Sequence, residues 1–177
     1  MAITARLVRR FGQVLTLHGR HHYAFPSAES VADTRVTSLR HCGLSTRKSH
    51  VLRAVAKMIA SGSLAAAQIE RFPSSEAVQY LMQLAGIGAW SAALVLLRGF
   101  GRLDMFPPAD TGAESSLVRL MRLRSGRSLD PIVDRFGEYR GYLYFYGIAS
   151  RLLAAGCIHP APQPPTFPSG TAGALPR

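Results

Sequence analysis

An all-α fold is what this 177-residue sequence predicts, on three observations. Apolar residues recur at i, i+3, i+4 and i+7 in one segment after another. Start and stop residues bracket those segments: Phe-Pro-Ser at 25–27 and 72–74, Asp-Pro at 130–131, and glycines at 62 and 156. No run alternates apolar and polar residues convincingly enough to read as a strand.

The elements follow in order. Residues 1 to about 12 read as an amphipathic helix with Ile3, Leu7 and Val8 inward and a basic outer face. His18, His21 and His22 cluster in a turn, without the firm spacing a metal site needs. Ser27 caps the next helix. Ser45 caps a helix running to about Ser61, with Val51, Val55, Met58 and Ile59 on one face and Gly62 as its stop. Arg47 and Lys48 at its start are either a solvated face or contacts to a polyanion. Ser74 caps a helix in which Ala77, Tyr80, Leu81 and Leu84 repeat at helical spacing; beyond Gly86-Ile87-Gly88, Trp90, Ala93, Leu94 and Leu97 do the same. Asp110 begins a helix to about Leu123 that bears Arg119 and Arg122, with Arg124 and Arg127 just beyond. Asp130-Pro131 opens another. The last helix runs from Glu138 to Ala155, with Tyr142, Phe145, Ala149 and Leu152 inward and Gly156 ending it. From residue 158 prolines dominate, so the expected organisation is a helical domain over 1–157 and a disordered or extended tail over 158–177.

Composition narrows the function classes. A formal charge of +11, from 21 basic against 10 acidic residues, suits a polyanionic partner. Two cysteines, Cys42 and Cys157, are too few for a disulfide framework or a four-thiolate iron–sulfur cluster. The most apolar run near the glycine turn, Ala89 to Leu97, stops at Arg98, far short of a membrane span. Arg6, Arg9 and Arg10 interrupt any signal-peptide layout, so a cytoplasmic, nucleoid-associated location is expected, with no membrane partner.

Everything else is arranged around residues 81–110. The glycines of Gly86-Ile87-Gly88 allow backbone angles closed to other residues and a close backbone approach, while Ile87 plugs the gap between two helices. N–H groups of the turn and of the following helix then lack intrahelical acceptors, which makes an anion site. A phosphodiester is the natural occupant. The carbonyls of Met82, Leu84 and Ile87 could together hold a monovalent cation touching that phosphate. Taken alone, the turn would also suit an ordinary helix–helix corner.

It is not alone. Leu-x-x-Leu-Ala-Gly-Ile-Gly-x-Trp-Ser-Ala at 81–92, then Asp-Met-Phe-Pro-x-x-Asp at 104–110, with Trp90 and Asp110 twenty residues apart, resembles the signature of the helix-hairpin-helix DNA glycosylase superfamily, and most nearly its 3-methyladenine DNA glycosylase II branch. Ala85 stands for the usual proline and Ser91 for the usual threonine. The resemblance runs from about the first residue to Cys157, and it implies further N-terminal structure, so the domain is expected to lack its N-terminal portion.

The resemblance assigns roles. Asp110 matches the catalytic aspartate, a carboxylate that stabilises an oxocarbenium-like transition state and orients water; the residues alone would make it a helix cap. Asp104 also matches a family position, and a structural pair with Arg98 or Arg102 is expected for it. Trp90 stands where lyase-active members carry a lysine, which implies hydrolysis without strand cleavage; an indole there suits a flipped, cationic alkylpurine. Tyr142, within Arg140-Gly141-Tyr142, matches a family Arg-x-Tyr and joins Trp90 as a candidate pocket wall, while Ile148 replaces a frequent tryptophan. Ala85, Gly86, Ile87, Gly88 and Ala89 are the candidate grip on the DNA backbone. The expectation is therefore a monomeric, cofactor-free, monofunctional glycosylase removing alkylated purines from double-stranded DNA in base excision repair. A helix-hairpin-helix module or decayed copy that binds DNA without catalysis is the alternative, and a glycosylase for mismatched or oxidised bases is a third reading.

Overall fold

The residues described, 2–123 and 129–159, form ten α-helices in a computed structural model. In order they are α1 (Ile3–Phe11), α2 (Ala28–Ala32), α3 (Val36–His41), α4 (Thr46–Ala60), α5 (Ala66–Arg71), α6 (Ser74–Met82), α7 (Ala89–Gly99), α8 (Thr111–Leu120), α9 (Asp130–Asp134) and α10 (Arg140–Ala154). Ser27 and Ser45 cap as expected, their hydroxyls accepting the N–H of Ser30 and of Lys48, 3.2 Å each. Ser74 does not: Pro73 holds the cap position of α6, and the Ser74 hydroxyl accepts from Arg102 at 3.3 Å instead. Arg124 and Arg127, and the proline-rich stretch from residue 160, lie outside the described residues.

The fold is mainly helical, with one departure. Val14–Leu17 (β1) and Arg20–Tyr23 (β2) pair antiparallel, Val14 opposite Tyr23 and Leu17 opposite Arg20. His18 and Gly19 join them with φ of 49° and 73°, the left-handed pair of a tight two-residue hairpin. His21 and His22 are therefore in a strand rather than a turn. All eight strand residues are exposed, so no buried face imposes the alternation by which strands are recognised. Backbone pairing and the His-Gly turn carry the hairpin, and that dipeptide was the signal available in the sequence.

Helix α7 ties the molecule together because Leu96 and Leu97, neighbours on it, pack into different core clusters. Leu96 is fully buried with Leu64, Ile69, Ala77, Leu81 and Ala92 from the α5–α7 side. Leu97 packs with Ala113 and Tyr144, drawn from α8 and α10. Truncating either to alanine removes about 2–5 kcal/mol of packing, so the relation between the two sides is set by a core rather than by loops. Arg102 adds a polar clasp, donating to the carbonyls of Ile69 (2.7 Å) and Glu70 (3.3 Å).

The inward face of α10 differs from expectation. Tyr142, Phe145 and Leu152 are 47%, 38% and 38% exposed, whereas Gly141, Leu143, Tyr144 and Gly147 are buried. Close backbone approach decides this. The Gly141 N–H donates to the Leu103 carbonyl at 2.6 Å, and a β-carbon there would lie 2.6 Å from Leu97 Cδ1 and 2.8 Å from that carbonyl. Glycine seats α10 against the loop that leads to Asp110, and the large aromatics are left on the open side. Gly141→Ala is expected to lower stability by about 1–3 kcal/mol through overpacking, read as a shift of the urea midpoint at unchanged slope.

Candidate DNA-backbone grip and catalytic acid

Helix α6 ends at Met82, and a short turn follows in which Ile87 donates to the Leu84 carbonyl at 3.0 Å. Gly86 holds φ +89°, and a β-carbon there would run into Val51 of α4. Gly88 caps α7 in an extended conformation, with open space where a side chain would be. Of the two glycines, then, Gly86 is required by conformation and Gly88 by neither angle nor internal contact; Gly88 leaves the turn's outer surface bare. Ile87 packs against the Leu81–Leu96 cluster, as its position between the helices led one to expect. No backbone N–H of the turn reaches the carbonyls of Met82 or Ile87.

The first turn of α7 contains no acidic residue, and its first intrahelical bond is that of Ala92 to the Gly88 carbonyl. The N–H groups before it point outward as an unopposed partial positive charge. Beside them, a groove of about 500 Å³ is lined by Ser45, Arg47, Lys48, Val51, Leu52, Val55, Gly86, Ile87 and Ser91. The start of α4 and the start of α7 thus converge on one groove that carries two cations and no carboxylate. Sequence distance had hidden this juxtaposition, since the two helix starts are forty-odd positions apart.

Trp90, two residues past Gly88, crosses from the turn to the acid. Its indole Nε1–H donates to Asp110 Oδ2 at 3.0 Å. The other oxygen, Oδ1, accepts the Ala113 N–H at 2.9 Å, so Asp110 also caps α8. Ala109, immediately before it, holds φ 55°, a left-handed conformation that costs a non-glycine residue about 1–2 kcal/mol and turns the chain sharply into the cap. Each carboxylate oxygen keeps a further lone pair for an outside partner. Trp90 is 44% exposed, too open for plain core packing. Trp90→Phe keeps the ring and deletes the bond; its expected effect on unfolding free energy is under about 1 kcal/mol, as for other exposed polar contacts.

Tyr142 shares no hydrogen bond or ring contact with Trp90 or Asp110. It stacks on Tyr139, with ring centroids 6.5 Å apart, and Glu138 raises the Tyr139 pKa above the ordinary phenol value, first by a hydrogen bond and then by its charge. Ile148 packs inward on the Leu97–Ala113–Tyr144 cluster. Asp104 forms no ion pair with Arg98 or Arg102; Arg140 pairs with Asp134, at 3.3 Å. The Arg102 guanidinium is instead held by carbonyls of α5, and two neutral acceptors there outcompete an exposed carboxylate. Among the described residues no group of three or more histidine, cysteine or acidic residues could hold a metal ion, and no helix is long and apolar enough to cross a membrane.

Residues 1–130, which hold the glycine turn, Trp90 and Asp110, match the HhH-GPD superfamily of base excision DNA repair proteins. The chain belongs to that family. It is 26% identical over 148 residues to a DNA-3-methyladenine glycosylase of Bacillus subtilis (strain 168), covering 82% of this chain and 49% of that one. Among solved structures, a 3-methyladenine DNA glycosylase from Archaeoglobus fulgidus superposes with a TM-score of 0.70 at 30% identity, over 86% of this chain and 52% of that one. An 8-oxoguanine glycosylase/lyase from Clostridium acetobutylicum shares the fold, with a TM-score of 0.69 at 21% identity, over 88% and 53%. The chain spans about half the length of these relatives.

Proposed function

We propose that this chain, with a single domain over residues 1–157, acts as a monofunctional DNA glycosylase that hydrolyses the N-glycosidic bond of alkylated purines in double-stranded DNA. The Trp90–Asp110 hydrogen bond carries the reading. It links the first turn of the helix that would grip a phosphate to the carboxylate that would face the neighbouring sugar. Gly86, Gly88 and Ala89, with Ala85 before them, supply backbone N–H donors for the phosphodiester; Ile87, whose own N–H is bonded to the Leu84 carbonyl, holds the turn's shape, and Gly88 leaves the surface bare. A monovalent cation held by the carbonyls of Met82, Leu84 and Ile87 would add charge at the same phosphate.

Asp110 then acts on C1′ of the extruded nucleotide. As the bond to the base stretches, positive charge develops on the sugar, and the carboxylate stabilises it and orients the attacking water. The departing base takes the bonding electrons; when alkylation has already made it cationic, it leaves neutral without an added proton. Trp90 has no amine, so no Schiff base forms and the strand stays intact. The open aromatic face of α10, with Tyr142 and Tyr139, supports stacking on a flipped base.

The test is base release from duplex DNA treated with methyl methanesulfonate, in parallel with a duplex carrying 8-oxoguanine. Free methylated purine, with strand scission only after alkali, is the expected result. Scission without alkali would replace the hydrolase by a lyase, and release of 8-oxoguanine alone would move the substrate class. A second reading, DNA binding without chemistry, is favoured by the fact that both Asp110 oxygens already accept bonds from within the protein; binding with no base release would establish it.

A further inference from the structure

The glycosylase reading leaves one charged group beside the acid without a task. Arg151 lies one turn from the end of α10, exposed, and among the described residues its side chain makes no hydrogen bond or ion pair. Small residues bring it to the start of α8. A β-carbon on Gly147 would stand 3.2 Å from Ser116, and Ser116 turns its hydroxyl back onto its own helix at the Gly112 carbonyl, 2.6 Å away. One turn further along, the space above Gly112 is closed by two groups at once: Arg151 Nη1 and Asp110 Oδ1 would each stand 3.3 Å from a β-carbon there. The guanidinium and the carboxylate are therefore no more than twice that distance apart, yet unpaired.

We infer that Arg151 is a positioning residue that takes the phosphate flanking the extruded nucleotide on the side away from the glycine turn. This rests on the glycosylase reading, and three observations support it. Trp90, just past the turn, donates to Asp110 Oδ2, whereas it is Oδ1 that shares the space at Gly112 with Arg151, so the turn and Arg151 adjoin different oxygens of the acid. A strand carries one charge per roughly 3.4 Å of helix axis, and every sugar sits between two phosphates; a sugar held against Asp110 thus brings a second phosphate near a guanidinium this close. Finally, Asp110 is in no ion pair, and an unopposed carboxylate repels incoming DNA. A cation beside it offsets that repulsion, and a guanidinium binds phosphate through two parallel N–H donors.

The experiment uses the full chain and a duplex containing tetrahydrofuran, a stable abasic analogue, and follows Kd by fluorescence anisotropy as a function of KCl for wild type, Arg151→Ala and Arg151→Lys. Arg151→Ala is expected to flatten the log–log salt slope by about 0.9, the value for one phosphate contact, while Arg151→Lys keeps the wild-type slope. An unchanged slope in Arg151→Ala overturns the inference. So does a loss of base-release rate in Arg151→Ala with unchanged Kd and slope, which would mean that Arg151 acts on Asp110 and not on DNA. Failure of wild type to release methylated purines while the slope still responds to Arg151 would overturn the glycosylase reading alone; no binding by wild type would overturn both.

Discussion

Asp110→Asn should leave the protein folded and bound to methylated duplex while base release falls by about 10²–10³-fold or more, the scale of losing one electrostatic contact to a transition state. The substitution is informative because asparagine caps helices as well as aspartate does. Its side-chain oxygen can still accept the Ala113 N–H that Oδ1 accepts now at 2.9 Å. The turn through Ala109 and the start of α8 should therefore persist, with the melting temperature shifted by only a few degrees. What disappears is the negative charge that the proposed reaction sets against the sugar. A release rate equal to wild type would leave Asp110 as a cap and nothing more.

Gly86→Ala is the second large effect, on stability and through it on DNA binding. The residue holds φ +89°, and an added β-carbon would meet Val51 of α4. The left-handed backbone costs alanine about 1–2 kcal/mol and the overpacking about 1–3 kcal/mol, together a large share of the roughly 5–15 kcal/mol that holds a domain folded. Guanidinium unfolding measures the loss. Adding Val51→Ala separates the two causes: the double variant should regain the steric part and retain the backbone part. Full recovery would mean that the turn adapts its angle, and no loss in the single variant would mean that the turn is not held against α4.

Much of this was readable beforehand, for identifiable reasons. Caps at Ser27 and Ser45 and the stop at Gly62 act on their own few residues, so local chemistry suffices; α9 does start at Asp130, but Leu129 and not Asp130 holds its cap position. Ala77 and Leu81 before the turn and Ala93 and Leu97 after it are buried as their spacing implied. The misses share a different cause. Ser74 lost its capping role to Arg102, twenty-eight residues away; Asp104 lost its expected arginine to carbonyls of α5; and the face of α10 was set by the contact of Gly141 with Leu103. In each case a distant partner outbid a local preference worth no more than about a kcal/mol.

Order and spacing along the chain settled that two helices meet at Gly86-Ile87-Gly88 and that an acid follows Trp90 by twenty positions, because helix periodicity and capping are properties of neighbouring residues. Folding alone decided that the indole donates to that acid, that the starts of α4 and α7 share one groove, and that Arg151 stands across Gly112 from Asp110. Those are meetings of side chains from separate helices, and their distances come from how Gly141, Gly147 and the two faces of α7 let the helices pack.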